Sequence, residues 1–495
     1  MSFSTMFAGD IELFLSEIFL GFTILGILVY GVLLSTSITY KYPLIHKNIY
    51  ILTCYILFLT AILSFCNPVD YVLIFQKNFI CDNLGNISKL VILGSSILTL
   101  VITQSYIKTY KINNYEYFLL ILLSVFGLIL LVSSNDFLSA YLAIELQALS
   151  FYVLASFQRK SIFSAEAGLK YFILGGFSSG LVLYGFSLVY GATGTTNLYN
   201  LSLLCVDNNF SGYQISSIGL IFIIAGLLFK IGAFPFHMWL PDVYEGAPTS
   251  ITTYFAIVPK LGVIVLFSRL LFCSFSTYYF FWEKILLFSA IGSIAYSSIV
   301  AIKQYNLKRI LAYSSIGHVG YMLIALVADS ADGLQALIFY FFVYILSSIP
   351  VWYLLIYCMK NRKGSQTNIS ILSALPNTSP VLALVGGLGF FSLAGIPPMV
   401  GFYSKVFVFF SAVKSSFYLS VFVILILNVI STFYYISIIK TIYFEKNINW
   451  IFYNSLTKDV SILMGILLIF LLFFFFDSSL LKLASEKMVF SIIEF

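Results

Sequence analysis

The chain has 495 residues, of which 60% are hydrophobic and only 9% charged, and its mean hydropathy is +1.01. Soluble domains carry roughly 25% charged residues, so this composition excludes a soluble protein and predicts an all-α polytopic membrane protein. The net charge is +6, the six cysteines form no CxxC or Cys/His cluster, and no glycine-rich phosphate loop is present, so the chain is expected to hold no metal, iron–sulfur or nucleotide site and no nucleic acid.

Apolar runs of about 17 to 25 residues read as membrane spans. In chain order they fall near 12–34, 49–65, 90–106, 116–133, 136–156, 168–190, 216–234, 251–272, 278–301, 309–327, 333–358, 380–413, 418–439 and 459–477, fourteen in all. Lys41, Lys47, Lys108, Lys111, Arg159, Lys160, Lys303, Lys308, Arg309, Lys360, Arg362, Lys363, Lys440, Lys446 and Lys458 follow odd-numbered spans. Asp70, Asp82, Asp136, Asp207, Asp329 and Asp332 follow even-numbered ones. By the positive-inside rule both termini then face the outer compartment, as an even count requires. The acidic loop after span seven is the exception.

That loop continues "LLFKIGAFPFHMWLPD", residues 227 to 242, where Lys230 is followed by Pro235 and Pro241. A second interruption, "SLAGIPPMVGF", lies in span twelve, and Gly232 and Pro235 match Gly395 and Pro398 at a constant separation of 163 positions. Proline removes a helix donor and clashes with the preceding turn, so both spans are expected to be broken helices. An odd number of spans separates them, which makes spans four to eight and nine to thirteen an inverted repeat of five-helix units. The domain division that follows is 1–110, an N-terminal three-helix segment; 111–272 and 273–440, the two repeats; and 441–495, a C-terminal helix and tail. Such repeats expose backbone groups and dipole ends near the midplane, where ions can be held.

Four ionisable residues stand inside spans: Glu145, Lys230, Lys260 and Lys405. Each costs about 2.5 to 3.5 kcal/mol at a helix centre. Glu145 has no basic residue three or four positions away on its own helix, so its partner must come from another span, and Lys230 is the candidate. A lysine whose acidic partner approaches or withdraws can take up and release protons; the alternative is a set of static pairs that fix helix packing. Lys170 stands near the inner end of span six and fits either proton uptake or snorkelling to the surface. His318, at mid-span, fits a proton relay or a hydrogen bond between helices. His237 is expected to cap or plug the interrupted helix, and Asp242 and Glu245 to cap the half-helix or its following turn.

The segments "AYLAIELQALSFYVLAS", "SAEAGLKYFILGGFSSGLVLYG", "LLFKIGAFPFHMWLPDVYEGAPTSITTYFAIVPKLGV", "KQYNLKRILAYSSIGHVGYMLIAL" and "GFFSLAGIPPMVGFYSKVFVF" resemble the antiporter-like subunits of respiratory NADH:ubiquinone oxidoreductase, complex I, most of all the subunit 2 type. The resemblance runs from about residue 116 to 440. It implies that Glu145 and Lys230 are the family's paired glutamate and lysine, Lys260 its relay lysine, Lys405 the lysine on the exit side and Lys170 the span-six lysine of the subunit 2 type. A lysine at position 405 argues against the sister subunit with glutamate there, and no long lateral helix is expected after residue 477, unlike in the largest sister.

What the resemblance implies is a proton-translocating membrane-arm subunit without redox chemistry of its own. NADH, FMN, iron–sulfur clusters and ubiquinone would belong to partner subunits, and the partners would be the other membrane-arm subunits, sister antiporter-like subunits among them, and the lipid bilayer. The opening "MSFSTMFAGDIELFLSE" is acidic and no Arg-rich presequence is seen. Phe, Tyr, Ile and Lys are heavily used, as expected of an AT-rich genome. These features point to an organelle-encoded protein of the mitochondrial inner membrane, or to a bacterial plasma membrane. The alternative functions are a subunit of a multicomponent cation/proton antiporter and a non-pumping scaffold of the membrane arm.

Overall fold

The structure, a computed structural model, describes residues 9–34, 46–67, 70–110, 112, 114–205, 212–359, 368–445, 456–474 and 477–493. Lys41, Lys111, Asp207, Lys360, Arg362, Lys363 and Lys446, which enter the loop-charge pattern, lie outside the described residues. Among the described residues, twelve helices are long and apolar enough to cross a membrane. They are spans one to eleven and thirteen: Leu15–Leu34, Lys47–Phe65, Asn83–Thr109, Tyr115–Ser133, Phe137–Ala155, Ile162–Thr193, Tyr213–Ile231, Thr249–Ser274, Ser276–Ile302, Leu307–Val327, Ala331–Met359 and Tyr418–Tyr443. The other two predicted spans correspond to shorter elements. Span twelve is divided between Pro380–Ala394 and Val400–Lys414, and span fourteen is the 16-residue helix Lys458–Phe473.

Both predicted breaks are present and are built alike. Span seven ends at Gly232, whose φ of 76° only glycine adopts at no steric cost; Gly232 N–H donates to Phe229 O and Ala233 N–H to Leu228 O. Span twelve ends its first half at Gly395, φ 78°, with the same two bonds from Gly395 to Ser392 O and from Ile396 to Phe391 O. Each is a Schellman-type stop. Proline follows at Pro235 and at Pro397 and Pro398, and a half-helix resumes at Trp239–Gly246 or Val400–Lys414. A third, milder interruption, which the sequence reading did not single out, divides span eight into Thr249–Ile257 and Pro259–Ser268 with a π-helical turn at Arg269–Ser274. Pro259 supplies the reason: it donates no hydrogen bond to the turn before it.

Helix packing follows the repeat. Spans four and five pack together as nine and ten do; five and six pair as ten and eleven, six and seven as eleven and the first half of twelve, four and eight as nine and thirteen, seven and eight as twelve and thirteen. The half-helix Trp239–Gly246 lies on span six, and its counterpart Val400–Lys414 on span eleven. Span ten is buried along its whole apolar window, whereas spans one and two are only 28% buried, so span ten is the axis of the molecule and spans one and two face outward. Outside the helices, the described residues include one antiparallel hairpin, Tyr71–Ile74 with Phe79–Asp82. The chain closes on a 15-residue helix, Ser479–Ile493, lying against spans three and eleven.

Candidate functional site: a row of buried lysines

Lys230 is the second-last residue of span seven, two positions before the Gly232 stop, and its partly buried side chain lines a cavity of about 20 Å³. Lys260, 4% exposed, lines the same cavity from span eight, together with Gln147, Tyr171, Trp239, Tyr244 and Phe255. A volume near 10 to 15 Å³ accommodates one water, so the space that the two lysine residues line is large enough for a single water. The walls are kept rigid by rings: Tyr171 stacks on Trp239 at 4.6 Å, and Trp239 Nε1 donates to Phe229 O over 3.0 Å.

From Lys260 the polar row continues into span ten. Its Nζ lies 3.5 Å from Ser315 O and 5.3 Å from the centre of the Tyr344 ring. The His318 ring is 5.2 Å from Tyr344; its Nδ1 is 2.7 Å from Tyr340 Oη and its Nε2 3.1 Å from Tyr435 Oη. Both ring nitrogens of this buried histidine are thus satisfied by phenols from spans eleven and thirteen. A second cavity, of about 10 Å³, is walled by His318, Tyr340, Tyr344, Ser347, Ser404 and Lys405. Lys405, just past the break in span twelve, turns back so that its Nζ donates to Ala394 O at 2.8 Å and to Asn428 Oδ1 at 2.8 Å. The break creates the first acceptor, because the last carbonyls of a helix have no partner within it.

Glu145 and Lys230 do not form the expected direct pair. Among the described residues no ion pair within 4.0 Å joins them, and Glu145 Oε1 is enclosed without a hydrogen-bond partner. Glu145 sits on a face of span five that is partly open, one residue beyond Ile144, which reaches the cavity. Sequence spacing excludes a partner on the same helix but does not fix which way a side chain turns between helices.

Lys170 stands apart from the row. It is exposed and bridges Glu166 at 2.8 Å and Asp242 at 3.0 Å. Arg309 also reaches Asp242, at 3.5 Å, and pairs with Glu245 through its Nε, while Asn306 donates to Glu245 at 2.7 Å. Asp242 and Glu245 therefore hold spans six and ten to the half-helix 239–246 rather than capping it, since that helix has no side-chain cap. His237 likewise makes no cap. It is fully buried and lies against Phe234 and Tyr296 with ring centres 5.5 and 4.3 Å away, a plug between the break and span nine.

Two buried ion pairs were not among the charges placed inside spans from the sequence. Lys89 of span three pairs with Glu17 of span one, whose Oε2 also accepts from Ser16 over 2.6 Å. Arg269 Nη2 of span eight donates to Asp82 Oδ1 over 2.7 Å, and Asp82 also caps span three through Gly85 N–H. Lys89 escaped because span three, read as starting at 90, begins at Asn83. Arg269 was in plain view, one of four arginines and inside an apolar run.

Comparison with known proteins places this architecture. The profile of the NADH:quinone oxidoreductase/Mrp antiporter transmembrane family matches residues 134–431, which include every member of the lysine row. The chain belongs to that family. Relatives extend the match over nearly the whole length: NADH-ubiquinone oxidoreductase chain 2 of Marchantia polymorpha is 39% identical over 98% of this chain and 99% of its own. NADH-quinone oxidoreductase subunit N of Pelagibacter ubique is 42% identical over 87% of this chain and 90% of its own. Solved structures share the fold: a chain of respiratory complex I from Thermus thermophilus, covering 94% of this chain and 98% of its own, superposes with a TM-score of 0.79 at 24% identity. A chain of the Mrp complex from Dietzia, covering 97% of each, reaches 0.78 at 17% identity.

Proposed function

We propose that this family member is a proton-translocating membrane-arm subunit of NADH:ubiquinone oxidoreductase. The full-length likeness to chain 2 and subunit N supports that assignment over the Mrp-type cation antiporter, which shares the fold at lower identity. The observation that carries the proton-path reading is the polar row Lys230, Lys260, His318, Lys405. It crosses spans seven, eight, ten and twelve and is linked by two water-sized cavities.

In this reading a proton arrives from the inner side through Lys170 or water, and is accepted at Lys230 under the influence of the Glu145 carboxylate. It then passes over the shared cavity to Lys260, along Ser315, Tyr344 and His318, and leaves from Lys405. Lysines without a carboxylate in contact are suited to this, because a fixed counter-ion holds a proton in place. Moving one proton against 100 mV costs roughly 2.3 kcal/mol, so the drive must come from quinone reduction in partner subunits, which would carry NADH, FMN, the iron–sulfur clusters and ubiquinone. The units 111–272 and 273–440 would act as the two inverted halves of the path. The protein would reside in the mitochondrial inner membrane as an organelle-encoded chain, with both termini in the intermembrane space.

Native electrophoresis of mildly solubilised membranes, with an NADH dehydrogenase stain and mass spectrometry of the stained band, tests the assignment. The chain is expected in that band; its recovery in a smaller, unstained assembly with sodium-dependent transport would support the antiporter instead.

A further inference from the structure

Lys405 is held by oxygen atoms that carry no net charge. Its ammonium donates to Asn428 Oδ1 of span thirteen and to Ala394 O at the broken end of span twelve, both at 2.8 Å, and lies 5.0 Å from the Tyr321 ring centre. Tyr321 Oη donates to the same Asn428 Oδ1 over 3.0 Å, so two donors from two helices converge on one amide oxygen. The position of the ammonium is also fixed from behind. Gly395 leaves the space in which the side chain folds back, since a Cβ there would stand 2.7 Å from Lys405 Cδ.

The titratable groups that face this pocket are His318 and Tyr321 from span ten, Tyr340 and Tyr344 from span eleven, and Tyr435 from span thirteen, behind His318. The first half of span twelve contributes none. No carboxylate among the described residues lies within 4.0 Å of Lys405. An amide oxygen orients an ammonium as well as a carboxylate does, but it does not add a negative charge that opposes loss of the proton.

We propose that Asn428, oriented by Tyr321, is a positioning residue that aims Lys405 at the break while leaving it free to give up its proton. This rests on the relay reading above and adds a residue to it. Asn428→Asp places a carboxylate where the neutral acceptor stands, and Asn428→Leu removes the acceptor.

The test uses the assembled complex in its own membrane, with NADH-driven proton uptake and NADH oxidation recorded from pH 6 to 9 (about the accessible range) and assembly followed on native gels. Four variants are compared with the wild type: Asn428→Asp, Asn428→Leu, Asn428→Ser and Lys405→Met. Asn428→Asp is expected to lower pumping at neutral pH and to move the pH profile toward alkaline values by about 1 unit or more, the influence of an adjacent opposite charge. Asn428→Leu is expected to lower the protons moved per NADH without that displacement, and Asn428→Ser to recover part of the loss. Should Asn428→Asp not assemble, the comparison of Asn428→Leu with Asn428→Ser decides. Wild-type ratio and profile in the Asn428 variants, with pumping lost in Lys405→Met, would overturn this inference alone. Wild-type pumping in Lys405→Met would instead remove the relay reading on which it rests.

Discussion

Lys230 and Lys260 share the wall of one cavity of about 20 Å³, and no carboxylate among the described residues lies within 4.0 Å of either ammonium. In the proposed relay, this space the size of one water is the transfer step between two lysines of neighbouring spans; a packing brace would instead bring opposite charges into contact. Replacing Lys260 by methionine conserves volume and removes the proton carrier. Lys260→Met is therefore expected to assemble normally while protons moved per NADH fall; the check is quenching of a pH-sensitive dye against NADH oxidation in the same membranes.

Glu145 offers a contrast between charge and contact. Its carboxylate makes no ion pair among the described residues, so Glu145→Gln is expected to break no salt bridge, and the complex should keep its thermal stability on native gels after graded heating. Pumping should nevertheless slow, because the negative charge that favours a proton on Lys230 is gone. Loss of stability with normal pumping in the surviving complex would favour the scaffold role.

The pair Arg269 and Asp82 is the opposite case. It is 2% and 1% exposed, and removing one partner of a buried pair costs about 3 to 5 kcal/mol because the other charge stays behind. Asp82→Ala is expected to reduce the amount of assembled complex sharply, and Asp82→Leu with Arg269→Met to restore part of it, as read by immunoblotting of native gels.

The bridges of Lys170 stand at the surface, with side chains 41 to 54% exposed. Exposed pairs contribute about 0 to 1 kcal/mol, so Lys170→Gln should leave the assembled amount unchanged. If Lys170 is the uptake point, the variant slows pumping at low proton concentration and less so at acid pH, which a pumping assay over a pH series reads directly.

Much of this arrangement is legible in the sequence because membranes tolerate few alternatives. An apolar run of 20 residues has to be a helix, and a Gly followed by Pro inside it has to stop one, which is why the breaks at Gly232 and Gly395 are readable and even share their spacing. What spacing cannot supply is the azimuth of a side chain between helices. Glu145 was expected against Lys230 and instead faces a partly open side of span five, and Asp242 and Glu245 were expected as caps and instead tie span ten to the half-helix. Lys89 was lost through a helix boundary misplaced by seven residues. Asn428 gives no signal at all in sequence, being an uncharged residue in an apolar run whose importance depends on a lysine 23 positions away.

The glycine stops carry a prediction of their own. A side chain at Gly395 is strained by the positive φ, which costs about 1 to 2 kcal/mol, and its Cβ would collide with Lys405. Gly395→Ala is expected to weaken assembly modestly and to abolish pumping in the complex that forms, because Lys405 can no longer fold back to Ala394. Pumping per assembled complex, normalised to the native-gel band, separates the two effects.

The account stands most directly on the ratio of protons moved to NADH oxidised in membranes carrying Lys230→Met. It predicts a ratio below wild type, or both activities falling together if electron transfer cannot run uncoupled, with the complex still assembled. An assembled complex that oxidises NADH at the wild-type rate and moves the wild-type number of protons would contradict it.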